Sequence, residues 1–127
     1  AEDVALAFRR MVFNVLAHNR DDHVHQHAYL MDESGEWSLS PAYDLTYSAG
    51  PSGEHYLDID GEGRKPARKN IDNLGAKHGL SAKDVAVMVE EVGTAVGDWG
   101  KFAKEAGVTK ITTKLVTEAH AHVRATF

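Results

Sequence analysis

Apolar residues recur at helical intervals in the first stretch of the chain. In residues 3–17 an apolar side chain returns about every 3.6 positions, while Arg9, Arg10 and Asn14 fall outside this stripe. The members of the stripe are Val4, Phe8, Met11, Val12, Val15 and Leu16. This pattern predicts a helix with one buried face.

A short helix is predicted between residues 70 and 78. Asn70 can cap its first turn, and Gly79 follows it, where a helix often ends with a left-handed residue. Before this helix, residues 48–69 contain several glycines and two prolines, which indicate a loop. Alternation of side-chain polarity in residues 55–60 is compatible with a short strand inside that loop.

A long helix and a final helix are predicted after residue 80. Ser81 opens the long helix, with Asp84 three residues later in a variant of the capping box, and Gly107 ends it. Its predicted inner face comprises Val85, Met88, Val89, Val92, Val96, Trp99 and Ala103. Three glycines inside this helix are expected to bend it or to lower its stability, at a cost of roughly 1 kcal/mol each relative to alanine. They are Gly93, Gly97 and Gly100. The final helix runs from about Thr109 to Arg124. Its predicted inward residues are Ile111, Leu115, Ala119 and Val123.

Two short alternating segments predict a β-hairpin in the first half of the chain. Residues 27–31 and 36–40 alternate between apolar and polar positions, and residues 32–35 have turn chemistry. Pro41 ends the second arm because proline cannot donate a hydrogen bond to a strand ladder. Each arm is expected to have about five residues. With the four helices, the predicted fold class is mainly α with a small β-hairpin.

The composition is that of one ordinary globular domain. The 127 residues are 43% hydrophobic and 26% charged, which argues against disorder and predicts a single domain over residues 1–127. The net charge of −5 disfavours direct binding of nucleic acid through phosphate neutralisation. No apolar run approaches the roughly 18 residues of a membrane span, so no membrane association is expected. The absence of cysteine excludes disulfides and cysteine-based zinc sites.

The stretch from Asp21 to Asp44 carries the strongest candidate chemistry. Enzymes of the protein-kinase type use an aspartate to orient the attacking hydroxyl, an amide side chain on one Mg²⁺, and a second aspartate on the metal ions that bridge the phosphates. The amide follows the first aspartate by about five positions, which here selects Gln26. The predicted hairpin then leads to Asp44. The order of these groups is that of a kinase catalytic half, with oxygen ligands suited to Mg²⁺.

Two strings of the sequence resemble the HipA-like serine/threonine kinases of bacterial toxin–antitoxin systems. They are FNVLAHNRDDH at residues 13–23 and WSLSPAYDLT at residues 37–46. That family shows an F-N-x-L…N-x-D-D-H-x-K-N loop, then a hairpin, then an L-x-P-A-Y-D motif. The resemblance is strong over residues 9–46 and weaker for PSGE at residues 51–54 and for the helical tail.

The resemblance implies the C-terminal, catalytic-loop lobe of a protein-kinase-like HipA fold. The implied activity is ATP-dependent transfer of a phosphoryl group from Mg-ATP to a serine or threonine hydroxyl of a protein. Asp21 is then the catalytic aspartate, and Gln26 and Asp44 are the metal ligands. ATP and Mg²⁺ are the implied cofactors.

Other positions of the motif are implied to serve the cofactor. His23, His25 and Tyr43 are expected on the cofactor-binding side of the loop, and Asn14 is expected to support it. The chain departs from the family where Lys-Asn is usual, since it has His25 and Gln26 there. Gln26 keeps an amide oxygen but is one methylene longer than asparagine, and neutral histidine lacks the permanent charge of lysine near pH 7.

The resemblance further implies a cytoplasmic bacterial toxin with protein partners. These are a DNA-binding antitoxin similar to HipB and a protein substrate, for which an aminoacyl-tRNA synthetase is one candidate. No glycine-rich loop and no strand lysine precede the motif, so the nucleotide-binding lobe is expected to be absent from this chain. We therefore expect the isolated chain to be inactive, since half of a phosphate clamp transfers almost nothing.

A metal-binding domain rich in histidine is one alternative. His23, His25 and His27 alternate, and on an extended segment all three would face one way. With Asp21 or Asp22 nearby they could bind Zn²⁺, as in a metallohydrolase or a metal-storage domain.

A non-catalytic interaction module is the other alternative. In this hypothesis the two helices after residue 80 form a scaffold or docking face. Trp99 and Phe102 are expected in the core of those helices rather than in an interface.

Overall fold

The computed structural model describes residues 2–127, and within them it contains five α-helices and one two-stranded antiparallel sheet. The elements in chain order are α1 (Glu2–Leu16), β1 (Tyr29–Met31), β2 (Trp37–Leu39), α2 (Arg68–Lys77), α3 (Ala82–Gly97), α4 (Trp99–Glu105) and α5 (Lys110–Arg124). Single 3₁₀ turns lie at Val24–Gln26 and Pro51–Gly53. The predicted mainly helical class with a small hairpin is confirmed, with five helices instead of four.

The hydrophobic core forms where α1 packs against α3, which also packs against α2. The buried core residues are Phe8, Val12, Val15, Leu16, Ile59, Ile71, Val85, Met88, Val92 and Val96. Most of the stripe predicted for α1 is therefore correct. Val4 is exposed, because the first turn of α1 extends past this core. Ile59 joins the core from a loop rather than from a helix or strand.

The long helix predicted after Ser81 is two helices. The chain leaves helical geometry at Asp98, whose φ and ψ are −82° and 7°, so α3 ends at Gly97 and α4 begins at Trp99. Gly97 and Gly100 flank the break and favour it, because glycine loses the most backbone freedom in a helix. The indole Nε1 of Trp99 donates a hydrogen bond to Thr113 O at 3.2 Å, which ties α4 to α5.

The outer parts of α4 and α5 differ most from the predicted burial. The final helix starts close to the predicted residue, because Thr109 is the cap of α5 and its side chain accepts a hydrogen bond from Thr112 N. Ile111 is 82% exposed and Leu115 is also exposed, whereas Val116 is the buried residue of α5. Ile111 and Leu115 were predicted to face inward, and this is wrong because the buried side of α5 contains Val116 instead.

An apolar groove of about 600 Å³ lies between the segment after the hairpin, α3, α4 and α5. Phe102 lines it and is 53% exposed, so the expectation that this side chain is in the core is wrong. Trp99, at the start of α4, is half-buried in the same groove. A docking role for these helices stays a prediction.

The loop and the helix after the hairpin begin differently from the prediction. Within the described residues, the segment 55–60 forms only an isolated bridge between Ile59 and Glu62, so the predicted strand is wrong. α2 starts at Arg68, two residues before Asn70, and the Asn70 side chain instead accepts a hydrogen bond from Ala67 N at 2.9 Å. Gly79 has a φ of 77°, as predicted for the end of this helix.

The hairpin has the predicted position but shorter arms. Tyr29 pairs with Leu39 and Met31 pairs with Trp37, so each arm has three residues instead of about five. The Asp32 carboxylate closes the turn, because it accepts hydrogen bonds from the backbone N–H groups of residues 34 and 36. A hydrogen bond from the Ser34 hydroxyl, followed by these backbone bonds, holds the pKa of Asp32 below its usual value. The hairpin brings the chain back to the loop that precedes it.

Candidate active site

One amide nitrogen lies between the two aspartates of the predicted site. Gln26 Nε2 donates a hydrogen bond to Asp44 Oδ2 at 2.6 Å and a longer one to Asp21 Oδ2 at 3.5 Å. Asp44 is exposed, and Asp21 and Gln26 are half-buried. The structure therefore brings Asp44 together with Asp21 and Gln26 on an open surface, although the hairpin separates it from them in the sequence.

The 3₁₀ turn at Val24–Gln26 positions the amide. Gln26 N donates to His23 O at 3.0 Å and His27 N donates to Val24 O at 3.3 Å, so the chain folds back within three residues. This compact turn directs the Gln26 side chain towards both carboxylates. A strand at the same place would have carried Gln26 away from Asp21, since a strand advances about 3.3 Å per residue.

Asp44 is fixed by the residue before it and by its own backbone. The Tyr43 hydroxyl donates a hydrogen bond to His25 O at 2.7 Å and so joins the segment after β2 to the 3₁₀ turn. Asp44 itself has a φ of 52°, a left-handed conformation that is uncommon outside glycine. Such conformations cluster at functional sites, where surrounding contacts hold them in place.

Buried Asp22 fixes the position of the loop that carries Asp21. It is 4% exposed, and its Oδ2 accepts a hydrogen bond from His55 Nδ1 at 2.9 Å, with His55 7% exposed. Its Oδ1 accepts a second bond from Tyr56 N at 2.9 Å. This buried pair ties the catalytic-type loop to a segment far along the chain. His55 was missed by the sequence reasoning, and no local pattern around it signals the contact.

The start of the loop is held by buried amides. Asn19 Nδ2 donates to Asn14 Oδ1 at 3.0 Å, and both residues are buried. Asn19 also forms an isolated parallel bridge with Ser48, in which Arg20 N donates to Ser48 O and Ser48 N donates to His18 O. Asn14 thus contacts the loop from the end of α1, the position where the sequence expected it to give support.

The remaining predicted site residues lie around the same turn. His23 Nε2 is 3.6 Å from Asp21 Oδ1, and both side chains are about one-third exposed. The His23 ring meets the edge of the His25 ring at a centroid distance of 5.9 Å and of the Tyr56 ring at 5.5 Å. His25 is exposed and contributes its backbone carbonyl to Tyr43.

The geometry assumed for a zinc site is wrong. The three alternating histidines do not lie on an extended segment, because His25 is inside the 3₁₀ turn. Burial, followed by the nearby Arg10 guanidinium, lowers the pKa of His27. The His27 side chain is therefore partly buried, whereas that of His25 is exposed to solvent. Within residues 2–127 no group of three or more histidine, cysteine or acidic residues is arranged to hold a metal ion.

The side chains around Gln26 have the donor chemistry that Mg²⁺ prefers. Mg²⁺ takes oxygen ligands and is often bound by one or two carboxylates together with phosphate oxygens. Asp21 and Asp44 supply carboxylates and Gln26 supplies an amide, on a surface open enough for phosphate oxygens to reach. The residues present therefore fit a Mg²⁺–phosphate site better than an all-protein metal cage.

Fold and site together define a mainly helical domain that carries an aspartate loop, a hairpin and a second aspartate on one face. Residues 1–99 match the family model described as the HipA-like C-terminal domain. The chain therefore belongs to this family, which is kinase-like. No curated protein and no solved structure shows a significant match to the chain. The matched range includes the whole candidate site and ends at the start of α4.

Among the described residues, none of the helices is both long enough and apolar enough to span a membrane.

Proposed function

We propose that this chain is the C-terminal part of an ATP-dependent serine/threonine protein kinase of the HipA type. The observation that carries the proposal is that Gln26 Nε2 lies within hydrogen-bonding reach of both Asp21 and Asp44. A kinase requires this set, with one aspartate at the substrate hydroxyl and an amide and a second aspartate at the metal. Membership of the HipA-like C-terminal domain family supports the same function.

In this proposal Asp21 orients the attacking hydroxyl and accepts its proton. Its carboxylate is only partly exposed and sits beside His23, so a substrate hydroxyl can approach it from the open side. Buried Asp22 holds the backbone of the loop and leaves the Asp21 side chain free to face the substrate. Positioning of this kind is a large part of catalysis in phosphoryl transfer.

Asp44 and Gln26 are the proposed ligands of Mg²⁺ on ATP. When bound, Mg²⁺ neutralises the charge that develops on the transferred phosphoryl group. The NH₂ group of Gln26 donates a hydrogen bond to Asp44 in this structure. The side-chain amide must therefore flip before its oxygen can bind a cation. Tyr43, His23 and His25 form the proposed cofactor-binding side, where the hydroxyl of Tyr43 keeps the turn and the metal aspartate together.

The rest of the proposed enzyme lies outside this chain. We propose that a nucleotide-binding lobe completes the ATP site and that this chain alone transfers almost no phosphate. A toxin role in the cytoplasm, a DNA-binding antitoxin partner similar to HipB, and an aminoacyl-tRNA synthetase as substrate are the finer proposals that follow from the family. Only the family membership supports them.

The decisive experiment measures transfer of labelled phosphate from ATP by the protein that includes the nucleotide-binding lobe. Asp21→Asn and Asp44→Asn are each expected to lower the rate at least a hundredfold, because each removes a group that acts at the reacting phosphate. Asp72→Asn, on the exposed surface of α2, is the matched control and should keep the rate of the unmodified protein. Equal rates for Asp44→Asn and the control would overturn the metal role.

The metal step has a separate readout in the 127-residue chain. Mn²⁺ is a paramagnetic substitute for Mg²⁺ and broadens the NMR signals of nearby nuclei. Added Mn²⁺ should broaden the amide signals of residues 21–26 and 43–45 first. Asp44→Asn should remove this selectivity, whereas Asp72→Asn should retain it. Uniform broadening of all exposed acidic residues would contradict the proposed site.

A further inference from the structure

A second concave site lies between the beginning of the catalytic-type loop, the segment before α2 and the end of α5. It encloses about 240 Å³. Basic side chains supply most of its polar lining, namely His18, Arg20, His55, Arg64, Lys65 and His122. No aspartate or glutamate is among the residues that line it. The whole chain has a net charge of −5, so its composition does not account for this concentration of basic groups.

Two of the lining residues are already paired with carboxylates. Arg64 Nη2 lies 2.8 Å from Glu54 Oε1, and His55 donates to buried Asp22. Of the four that remain, His18 donates to Ser48 O, which leaves Arg20, Lys65 and His122 as the groups available to a ligand. Among the described residues, no carboxylate lies within ion-pair distance of any of these three side chains.

Arg20 is held in place by neutral partners only. Its Nη1 donates to Gly53 O and its Nη2 donates to Arg64 O at 2.9 Å, so its positive charge is oriented but not compensated. Its Nε is buried and has no hydrogen-bond partner in the structure. A guanidinium has five N–H donors, and only part of this capacity is used here. The uncompensated charge of Arg20 favours an anion in the adjacent cavity.

The histidine beside Arg20 responds to the same positive field. Burial, followed by the charge of Arg20, lowers the pKa of His18, and the neighbouring His55 acts in the same direction. The ring is fixed, because its Nδ1 donates to Ser48 O at 3.2 Å and its face stacks on Tyr47. An anion in the cavity would oppose the field of Arg20 and raise the pKa of His18.

We propose that this cavity binds a dianionic phosphoryl group, held by Arg20, Lys65 and His122. Guanidinium and ammonium groups form charge-assisted hydrogen bonds with phosphate oxygens, and a histidine ring N–H can donate a hydrogen bond to the same oxygens. The cavity is smaller than the roughly 300–1,000 Å³ of pockets that enclose whole cofactors, so it fits the phosphoryl group and not a nucleotide. The site is distinct from the Asp21, Gln26 and Asp44 cluster, and it does not depend on kinase activity.

Arg20 gives the proposed site a physical link to the catalytic-type loop. It directly precedes Asp21 in the sequence, and its side chain bonds to the carbonyls of Gly53 and Arg64. A phosphoryl group bound to Arg20 would add contacts between the loop and the segment before α2. We expect bound phosphate to slow amide exchange in residues 18–22.

The test is an NMR titration of the 127-residue chain with inorganic phosphate at constant ionic strength, with chloride as the comparison salt. Saturable shifts are expected for His18, Lys65 and His122, together with a rise in the pKa of His18. Lys65→Gln should weaken phosphate binding about tenfold or more, because it removes one charged contact. Lys83→Gln, at the exposed start of α3 and outside the cavity lining, should leave the affinity unchanged.

A short peptide with O-phosphoserine distinguishes the sources of the phosphoryl group. Saturation by the peptide supports a site for a phosphorylated protein segment, and saturation by inorganic phosphate alone assigns the site to the free ion. The proposal is overturned if chloride gives the same shifts as phosphate, if neither probe saturates, or if Lys65→Gln and Lys83→Gln bind phosphate equally well. Unchanged amide spectra away from the cavity show that the variants are folded.

Discussion

The helical body and the loop region between α1 and α2 are held together by different kinds of contact. The body is built on apolar side chains such as Val12, Ile71 and Val85, which are almost fully buried. The loop region has only three-residue strands and 3₁₀ turns, and several large apolar side chains on its hairpin are exposed. Buried polar groups, above all Asp22, position it instead. The comparison shows how a rigid scaffold can carry a site that stays open to solvent.

Apolar burial and buried hydrogen bonds contribute similar free energies per side chain, but they stabilise parts of the molecule of different size. Burial of one large apolar side chain contributes about 1.5–3 kcal/mol, and a hydrogen bond to a charged group contributes about the same. Core side chains touch many neighbours, so their loss weakens the whole domain. Asp22 contacts two residues, so its loss is expected to release mainly the loop.

Ile71→Ala should produce the largest loss of stability. Ile71 lies on α2 and is fully buried, so the change removes apolar contacts and leaves a cavity. We expect the free energy of unfolding to fall by about 2–5 kcal/mol, measured by urea denaturation. Ile111→Ala is the matched control, because Ile111 is exposed, and it should change stability by less than about 0.5 kcal/mol. Similar losses for both variants would contradict the described core.

Asp22→Asn should loosen the loop more than the helices. The neutral amide weakens the bonds from His55 Nδ1 and Tyr56 N at a buried site, at a cost of about 1.5–3 kcal/mol. Amide hydrogen exchange should become faster in residues 20–26 while α1 and α3 keep most of their protection. Asp72→Asn, which removes an exposed pair with Arg68, should have little effect. Equal loss of protection in loop and helices would remove the distinction between the two regions.

Mild acid should destabilise both regions through their half-buried histidines. Burial is the main cause that lowers the pKa of His27 in the loop and of His120 on α5 from the usual 6.5. The unfolded chain then binds protons that the folded chain does not, so stability is retained above pH 6.5 and lost as the pH falls towards the folded pKa. The melting temperature should therefore fall between about pH 7.5 and about pH 5.5.

Single substitutions assign this acid effect to one region. His120→Gln should reduce the pH dependence contributed by α5, where the His120 Nε2 donates to Ala17 O at 3.1 Å. His27→Gln should reduce the contribution of the loop. The comparison of each variant with itself at the higher pH controls for changes in packing. A variant whose melting temperature keeps the full pH dependence would show that its histidine does not contribute.

Glu118→Gln should produce the smallest effect. Glu118 faces Lys114 one turn earlier on α5 at 3.9 Å, and both side chains are largely exposed. Exposed pairs of this kind contribute about 0.3–0.5 kcal/mol, so the urea midpoint should hardly move. Added salt should reduce even this difference. A loss above about 1 kcal/mol would show that surface charge, and not only the core, stabilises the helical body.

The sequence by itself determined the features that depend on neighbouring residues. The apolar stripe of α1, the Ser81 cap, the left-handed Gly79 and the position of the hairpin all follow from preferences within a few positions. The same kind of reasoning failed at the ends of elements, where Asn70 is not the cap of α2. It also failed for Ile111, since periodicity shows which side of a helix is apolar but not how far the core extends beneath it.

The tertiary structure alone decided which distant groups meet. The order Asp21, Gln26, Asp44 was visible in the sequence, but the bonds of one amide to both carboxylates depend on a 3₁₀ turn and on Tyr43 reaching His25. The buried partner His55 and the basic cavity around Arg20 had no signal in the sequence. Local preferences act over a few residues, whereas these contacts exist only because the packed helices fix the ends of the loop in space.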